Sequence, residues 1–456
     1  MLKSPSAEQT ALEIVTLEGL VPKDHLLRRI DAVLDFSFIH ELAVPHYCSD
    51  NGRPALDPTL MFKALFIGYL FGVRSERRLI EEIRVNVAYR WFLRLKLTDE
   101  VFDASTLSQN RRRRFNGTDI AQTIFDTIVE QAVRHGLVDG RVIYTDSTHL
   151  KANANKNKYD LAALSKSRSD YWDDLDAAIN EDREVHGKKP MKEKAREAEV
   201  KETKVSRVDP DAGYMVREGK PKGFFYLDHR SVDGLHGIIT DSHATPANVH
   251  DSIVYLTRLD RQRQQFGFEV TSVGLDAGYA TAAIARGLEE RGILGVTGYR
   301  NPTPPKPGMM RKSKFIHDHN ADGYRCPNGQ LIPYATTDRN GYRHYKSDPS
   351  ICRTCPLLAS CTNNHNAQRT ITRHVWQDAR ERTDANRLTP WGKAIYKRRK
   401  ETVERSFADA KELHGHRYAR FRSLAKVKFQ CLIAAAAQNI KKIANLVTRQ
   451  RQPATA

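Results

Sequence analysis

The 456-residue chain is 40% hydrophobic and 28% charged, the composition of a soluble globular protein with enough apolar material for a core. Lysine and arginine number 73 against 55 acids, and the net charge of +18 and pI near 9.6 indicate a polyanionic partner, most commonly nucleic acid. The longest apolar run, residues 60–71, is too short for a membrane span of ~20 residues, and residues 1–9 lack the apolar core of a secretory signal. We therefore expect a cytoplasmic protein whose six cysteines form no disulfides.

The first 135 residues are predicted to be helical. Asp57-Pro58 is a typical helix beginning, because an N-cap acceptor precedes a proline at the first helical position. The apolar residues that follow predict a buried helix that ends at Gly72, and Ser75 can cap the next one. A later helix would carry a run of four arginines that either faces solvent or contacts phosphates: Arg111, Arg112, Arg113 and Arg114. Another helix is expected at residues 120–134.

Strand patterns begin at residue 142. Val142–Asp146 is a β-branched and aromatic run that ends in an acid, which predicts a buried strand with a carboxylate at its tip. Residues 223–232 and 235–242 are strand-like runs joined by Asp233-Gly234, which predicts a β-hairpin. Val270–Leu275 predicts another strand, followed directly by Asp276. With helices expected after residues 245 and 281 and a strand at 293–297, this order predicts an α/β layer with a mixed sheet.

Two stretches interrupt this pattern before the chain becomes helical again. Residues 161–210 contain 23 charged residues in 50, which predicts a solvated helical insertion or a mobile segment. Pro302, Pro304, Pro305 and Pro307 predict a stiff linker into a cysteine-rich segment. One long helix is then expected over residues 391–414 and another over 424–447. Residues 391–451 hold 16 lysines and arginines against 4 acids, which predicts a phosphate-facing surface, with a solubilising tail as the alternative.

Asp146 and Asp276 both follow predicted strands, and they would lie close together if those strands are neighbours in one sheet. Ligands of open α/β sheets bind at strand ends, where a pair of carboxylates suits Mg²⁺ together with substrate phosphate. Two ions about 3.5–4 Å apart would stabilise the attacking and the leaving oxygen of an in-line phosphoryl displacement. A third acid is needed to complete such a site, and the alternative role for each aspartate is to cap the following helix.

Four cysteines form a separate constellation: Cys326, Cys352, Cys355 and Cys361. A CxxC pair can hold one tetrahedral ion from a tight turn, and two more cysteines can complete a structural Zn²⁺ site. The outer spacings, 25 and 5 intervening residues, are irregular, and His365 could replace one sulfur. Free thiols packed in a loop-rich insertion are the alternative.

Several segments of the chain resemble bacterial insertion-sequence transposases of the DDE type. Asp146–Ala152 is similar to the first catalytic segment of that family, Asp276–Tyr279 to the second, and Glu401–Phe407 to the third. Residues 235–251 resemble the hairpin and helix beginning that follow the first segment, and residues 54–115 resemble the helical domain that precedes the core in one branch. The resemblance implies a ribonuclease-H-like sheet in which Asp146, Asp276 and Glu404 hold two Mg²⁺ or Mn²⁺ ions.

The third acid is chosen from its spacing. The family's glutamate is followed seven positions later by a lysine on the same helix, and Glu404 and Lys411 fit this spacing. Seven residues are almost two helical turns, so both side chains would share a face. The resemblance implies that Lys411 contacts the DNA backbone. Glu401, one turn earlier, is the alternative third acid.

The residues before Glu404 match the family less well. The family has an arginine four positions before the glutamate and a tyrosine three positions earlier still. Lys400 and Lys397 occupy these positions here, whereas Arg399 and Tyr396 each lie one residue away. The resemblance implies that the basic residues of this stretch bind DNA, namely Arg399, Lys400 and Arg405.

These inferences predict an α/β protein of four parts. A helical DNA-binding domain is expected at residues 1–136, and the first part of a ribonuclease-H-like core at 137–300, with the charged insertion at about 152–222. The linker and cysteine-rich insertion would occupy residues 301–388, and the basic final helices of the core residues 389–450.

The predicted activity is metal-dependent cleavage at transposon ends followed by strand transfer into target DNA. The partners would be double-stranded DNA, comprising terminal inverted repeats and target, and a second copy of the chain in a homodimer on DNA. One alternative is a DNA-binding repressor or decayed copy without catalysis. Another is a nuclease that cuts DNA without joining it.

Overall fold

The computed structural model describes residues 8–10, 12–48, 55–166, 169–192, 199–216, 219, 221–299 and 306–451. Residues 1–7 lie outside the described residues, as does the proline at 54, where the resemblance to the helical domain begins. The prolines at 302, 304 and 305, which predict the stiff linker, also lie outside them. The described chain forms an N-terminal helical region, a six-stranded mixed sheet, a five-stranded antiparallel sheet and a two-stranded ribbon. The mixed α/β class predicted from the sequence is therefore confirmed.

The N-terminal region is helical, as predicted. Its helices are α1 (Leu17–Leu20), α2 (Leu26–Asp31), α3 (Phe38–Ala43), α4 (Pro58–Leu70), α5 (Glu76–Val85), α6 (Val87–Phe92), α7 (Ala104–Asn110) and α8 (Ile120–Arg134). Both predicted caps form, because Asp57 accepts a hydrogen bond from the backbone N–H of Thr59 and Ser75 accepts one from that of Arg78. Residues 111–115 continue α7 as one turn of π-helix.

The next part of the chain builds the mixed sheet. Its elements are β1 (Val142–Lys151), β2 (Tyr159–Lys166), α9 (Ser169–Val185), β3 (Glu199–Ser206), β4 (Gly213–Met215), β5 (Gly223–Asp233), β6 (Ile239–Pro246), α10 (Asp251–Phe266), β7 (Ser272–Leu275), α11 (Ala282–Glu290) and β8 (Leu294–Thr297). The strand order is β6-β5-β1-β7-β8, and the short β4 pairs with the same edge of β5 as β6 does. β1 is antiparallel to β5 and parallel to β7.

The first strand is longer than its sequence predicts. β1 continues to Lys151, which pairs with Phe225 of β5, so Asp146 does not lie at the tip of its strand. Its pairing with β7 is shorter and ends at Thr145, opposite Leu275. Asp146 therefore lies just past the end of the pairing with β7 and within the pairing with β5.

The predicted two-residue turn at Asp233-Gly234 is wrong. β5 ends at Asp233 and β6 begins only at Ile239, so a longer loop joins them. The carboxylate of Asp233 accepts hydrogen bonds from the backbone N–H groups of Gly140 and Leu235, at 3.0 and 2.8 Å. Backbone hydrogen bonds close this longer loop, from the N–H of Asp233 to the carbonyl of Ile238 at 2.8 Å and from the N–H of Gly237 to the carbonyl of Asp233 at 3.1 Å.

The remaining elements are β9 (Ile316–Asp318), β10 (Gly323–Arg325), β11 (Leu331–Thr337), β12 (Tyr342–Lys346), α12 (Pro349–Cys352), α13 (Leu358–Cys361), β13 (Thr370–His374), α14 (Gln377–Asn386), α15 (Pro390–Arg398), α16 (Val403–Leu413) and α17 (Leu424–Arg451). The single helix predicted over residues 391–414 is thus two helices. The break falls before Thr402, whose φ of −107° and ψ of −96° are not helical.

The charged insertion contains the helix that the sequence predicts, together with two strands that it does not. It forms the β2–β3 ribbon and α9, and α9 packs against β11 of the five-stranded sheet. Asp182 of α9 accepts hydrogen bonds from the hydroxyl of Thr337 at 2.5 Å and from Nε of Arg343 at 2.6 Å. The ring of His186 stacks on that of Tyr334, with centroids 3.7 Å apart. Charges that suggested exposure in the sequence therefore pair with the other insertion.

Helix α17 joins the N-terminal helices to the mixed sheet. It packs against α2, α4 and α8 on one side and β6 on the other, and Ala434–Ala437 are fully buried between them. Small side chains allow this close approach, so the helical region and the sheet share one hydrophobic core. Although α17 is long, no helix in the described ranges has the length and apolar character needed to cross a lipid bilayer.

We predict that Gly274 is required for the packing of β7 beside β1. A Cβ at this position would lie 2.6 Å from the buried ring of Tyr144, so Gly274→Val should lower the free energy of unfolding by about 1–3 kcal/mol in chemical denaturation. Gly223→Val is the matched control, because a Cβ there meets its nearest neighbour at 3.5 Å. Equal losses in the two variants would contradict this account of the strand contact.

Candidate active site at the edge of the mixed sheet

The strand register places Asp146 and Asp276 side by side. Thr145 of β1 and Leu275 of β7 are parallel partners, and each is followed by one of the two acids. The carboxylate of Asp276 accepts a hydrogen bond from the backbone N–H of Gly278 at 2.7 Å, which fixes it at the beginning of a 3₁₀ turn. The cap role considered for Asp276 is thus present, and it leaves the second carboxylate oxygen for other ligands.

Arg399 links the first aspartate to the third predicted acid. Its Nη2 lies 2.7 Å from Oδ2 of Asp146, and its Nη1 lies 3.8 Å from Oε1 of Glu404. The guanidinium is 5% exposed, whereas the side chain of Glu404 is 46% exposed. The structure therefore joins Glu404 to Asp146 through Arg399 and leaves the side chain of Glu404 exposed to solvent.

Burial has the largest effect on the pKa of Asp146, and neighbouring charges modify it. Burial, together with the charges of Asp276 and Asp251, raises the pKa of Asp146 to about 6, and the nearby Arg399 opposes this shift. Carboxylates held this close repel one another unless a cation lies between them. Arg399 supplies one such cation.

Asp251 is a fourth acid at the site that the sequence reasoning did not single out. It begins α10 and accepts a hydrogen bond from the hydroxyl of Ser147 at 2.9 Å. The imidazole Nδ1 of buried His229 lies 3.7 Å from the same carboxylate oxygen. Asp251 ends the segment 235–251, which carries part of the family resemblance. That position is the signal that could have identified Asp251 from the sequence.

The register of the segment before Glu404 has a structural explanation. Arg399 lies three residues after Tyr396, as in the family's tyrosine–arginine pair, so the displacement is one extra residue between Arg399 and Glu404. The break between α15 and α16 accommodates this residue. The hydroxyl of Tyr396 lies 2.7 Å from the position that a Cβ of Gly298 would occupy, and the N–H of Ala277 lies 2.8 Å from the same position. Tyr396 thus reaches the residue that directly follows Asp276.

The basic residues of α16 are arranged along its exposed side. Lys411 lies on the same helix as Glu404, and its side chain is half-buried. Arg405 is exposed and pairs with Asp409 one turn later, at 2.9 Å. Lys400 is exposed in the break that precedes the helix.

The four consecutive arginines divide between the core and the surface. Arg111 is buried, pairs with Glu76 and lies over the ring of Phe421 at 4.1 Å. Arg114 is half-buried over the ring of Tyr47 at 4.2 Å. Arg112 and Arg113 are exposed. Arg111 and Arg114 therefore stabilise the helical region, whereas Arg112 and Arg113 face solvent.

The four cysteines of the predicted zinc site line one cavity. Cys326 begins a turn in which its carbonyl accepts a hydrogen bond from the N–H of Gly329, and Cys352 makes the same contact with Cys355. Burial and the neighbouring thiols raise the pKa of Cys361. No three of these sulfurs, all in the described part of the chain, lie within 4.8 Å of one another, so an ion would have to draw them together.

Among the described residues, one group of three candidate metal ligands has its ligand atoms within 4.8 Å of one another: Asp228, His416 and Cys431. This group is fully buried, and Nε of Arg230 donates to Oδ2 of Asp228 at 2.8 Å. A guanidinium already neutralises that carboxylate and repels a second cation, so the group is better explained as an ion-pair network.

The three acids around Arg399 have the donor set that Mg²⁺ or Mn²⁺ requires. All offer carboxylate oxygens, and their ligand atoms do not all lie within 4.8 Å of one another. Asp146, Asp276 and Glu404 would be the residues that hold such ions, and no single ion would need all three of them.

The described chain thus combines a helical region with a mixed sheet that has acids beside the end of the β1–β7 pairing. Residues 15–113 match a family model described as a transposase domain (DUF772), and residues 325–444 match one described as a transposase DDE domain. Together these matches support an insertion-sequence transposase of the DDE type and confirm the family predicted from the motifs. This family generally uses divalent metal ions. No curated protein matches the chain.

We predict that Arg399 offsets carboxylate repulsion when no divalent ion is bound. Arg399→Met should lower stability by about 2 kcal/mol without such ions, because Asp146 loses a charged hydrogen-bond donor. MgCl₂ should then raise the melting temperature of this variant more than that of the wild type. Exposed Lys400→Met is the control for loss of a neighbouring charge. If both variants melt alike with and without MgCl₂, Arg399 does not have this role.

Proposed function

We propose that the protein is a DNA transposase that cleaves at transposon ends and transfers the freed strands into target DNA. The observation that carries this proposal is the convergence of Asp146, Asp276 and Glu404 from two adjacent parallel strands and a following helix. This arrangement supports the assignment of Asp146, Asp276 and Glu404 as the catalytic, metal-holding acids. Such proteins would act in the bacterial cytoplasm, at the nucleoid.

The mixed sheet is proposed to be ribonuclease-H-like. Its order, β6-β5-β1-β7-β8, has β5 antiparallel to the central β1, with β7 parallel on the other side and β8 parallel to β7. The three acids lie at one edge of this arrangement, reached from β1, β7 and the late helix α16. This topology supports the fold class that the resemblance implies.

Asp146, Asp276 and Glu404 would hold two Mg²⁺ or Mn²⁺ ions. When bound, such ions supply Lewis-acid stabilisation to the attacking and leaving oxygens of a phosphoryl transfer. Tyr396 and Gly298 would keep the backbone at Ala277 in place, and with it the carboxylate of Asp276. Arg399 would orient the carboxylate of Asp146, to which its Nη2 donates at 2.7 Å.

The DNA duplex would lie along the exposed face of α16. Lys411, Arg405, Lys400 and Arg399 are distributed along this helix and the break before it. Arg112 and Arg113 would add phosphate contacts from the helical region, where they are exposed. Because two transposon ends must be joined in concert, we propose that a homodimer assembles on the DNA.

The four cysteines are proposed to bind one structural Zn²⁺. Their sheet has a small core of five buried apolar residues: Phe315, Tyr324, Ile332, Tyr345 and Ile371. A core of this size supplies little stability by itself, and metal crosslinks commonly compensate in small domains. The two cysteine turns and the shared cavity support a site that closes around the ion.

We predict that Asp146→Asn abolishes Mg²⁺-dependent nicking of transposon-end DNA and leaves DNA affinity unchanged. Asparagine cannot supply the negative oxygen that a hard cation requires. Its side chain has nearly the same volume as that of aspartate, so the fold should be retained. Glu404→Gln should behave in the same way, whereas Glu401→Gln should cleave at the wild-type rate. Cleavage by Asp146→Asn would refute the site, and the reverse order for the two glutamates would make Glu401 the third acid.

The two alternative functions give different results in the same system. A non-catalytic repressor or decayed copy would bind the DNA ends without nicking them in Mg²⁺ or Mn²⁺. A nuclease would nick them but would yield no strand-transfer product from pre-cut ends. Binding alone does not separate the three, because each predicts salt-sensitive affinity for DNA.

We predict one zinc ion per chain in elemental analysis of the purified protein. Chelation, or the double variant Cys352→Ser/Cys355→Ser, should remove the ion and lower the melting temperature of the five-stranded sheet, because metal binding is coupled to folding. Exposed Cys48→Ser is the control and should retain zinc. Absence of stoichiometric zinc, with a melting temperature insensitive to chelation, would leave the free-thiol alternative.

A further inference from the structure

A fully buried ion pair lies beneath the candidate active site. Asp228 and Arg230 have side chains that are 0% exposed, and Nε of Arg230 donates to Oδ2 of Asp228 at 2.8 Å. The imidazole Nε2 of His416 donates to the same oxygen at 2.9 Å, and the hydroxyl of Ser242 donates to Oδ1 at 3.0 Å. Neither charged residue belongs to a segment that carried the family resemblance.

The strand register puts this pair on the same face of the sheet as the first catalytic aspartate. Arg230 of β5 lies directly opposite Asp146 of β1, and Asp228 lies opposite Thr148. Directly opposite residues of antiparallel strands project to the same face. That face is covered by α16 and α17, whereas α10 covers the other.

The pair contacts α16 near both of its ends. Nη1 of Arg230 donates to the hydroxyl of Ser406 at 3.2 Å and to Oε1 of Gln438 at 2.9 Å. Ser406 lies in the first turn of α16, two residues after Glu404. Asp228 binds His416, which follows the end of the helix. One ion pair thus determines where α16 begins and ends relative to β5.

Stability alone does not account for this arrangement. Buried ion pairs are commonly no more stabilising than apolar residues of the same volume, because both charges lose their hydration. Here Nη2 of Arg230 and Nδ1 of His416 are buried and have no hydrogen-bond partner among the described residues, which adds to that cost. A buried ion pair can instead fix one relative position of the elements that it joins, which apolar side chains do less specifically.

We propose that Asp228 and Arg230 are positioning residues that hold α16 in the register at which Glu404 meets Asp146 and Asp276. This inference rests on the proposed function for the role of the three acids. It makes the network a determinant of metal binding that touches neither the metals nor DNA. Loss of the pair should leave a folded protein whose third acid is misplaced.

The test replaces the pair with apolar residues of similar volume in the full-length protein. In Asp228→Leu/Arg230→Met, the affinity for Mn²⁺, measured by electron paramagnetic resonance without DNA, should fall by about ten- to hundredfold, the effect typical of residues that orient metal ligands. Mg²⁺-dependent nicking at saturating DNA should fall similarly, while DNA affinity should not change. A purely structural role would lower the melting temperature without separating metal affinity from DNA affinity.

The opposite face of the same sheet offers a matched control. Asp241 of β6 and Arg258 of α10 form another largely buried pair, with Nε of Arg258 2.9 Å from Oδ2 of Asp241. Asp241→Leu/Arg258→Met should retain wild-type Mn²⁺ affinity and nicking. Arg230→Lys provides a milder variant if the double replacement does not fold. Lysine keeps a charge beside Asp228 but lacks the planar group that reaches Ser406 and Gln438, so Mn²⁺ affinity should still fall.

The possible outcomes distinguish a failure of this inference from a failure of the proposed transposase function. If wild-type protein binds Mn²⁺ and nicks DNA, and the Arg230 variants do the same at wild-type levels, the positioning role is overturned while the transposase proposal stands. If both ion-pair replacements weaken Mn²⁺ binding equally, the effect is general destabilisation and the role is again overturned. If wild-type protein neither binds Mn²⁺ nor nicks DNA, the proposed function fails first, and the inference fails with it.

Discussion

The pairing of β1 with two different neighbours is the constraint on which the rest of the structure depends. The parallel pairing with β7 ends at Thr145, which leaves Asp146 beside Asp276 at the edge of that pair. The antiparallel pairing with β5 continues to Lys151, which sets Arg230 opposite Asp146. A slip of one residue in either register would turn these side chains to the other face of the sheet. The carboxylate cluster and the buried ion pair are therefore consequences of the same hydrogen-bonded ladders.

An arginine between α15 and α16 compensates the negative charge that the β1–β7 pairing places at the sheet edge. Burial raises the pKa of Asp146, and the charge of the neighbouring Asp276 adds to this shift. Arg399 offsets it from the break between α15 and α16, a position that a continuous helix would not provide. The extra residue before Glu404 therefore changes the local backbone and leaves Arg399 in contact with both acids.

The segments that interrupt the sheet in sequence do not interrupt it in space. The charged insertion and the cysteine-rich insertion pack against each other through α9 and β11, so their charges neutralise one another at a shared interface. Helix α17, the last described element, lies between the N-terminal helices and the sheet. Its buried alanines bring the last described helix and the N-terminal helices into one core with the sheet.

Local patterns in the sequence were sufficient for elements whose cause is local. Asp57 and Ser75 cap their helices because capping depends on residues within one turn. The sequence predicted Asp146 and Asp276 from strand position and motif resemblance, and Glu404 from its spacing to Lys411. Strand length, the break before Thr402 and the burial of Arg111 depended on partners far along the chain. Arg230 is the clearest case, because nothing near it in sequence distinguishes it from a surface arginine on an exposed strand. Only tertiary structure surrounds it with Asp228, Ser406 and Gln438, since an ion pair is selected by the groups that exclude water from it.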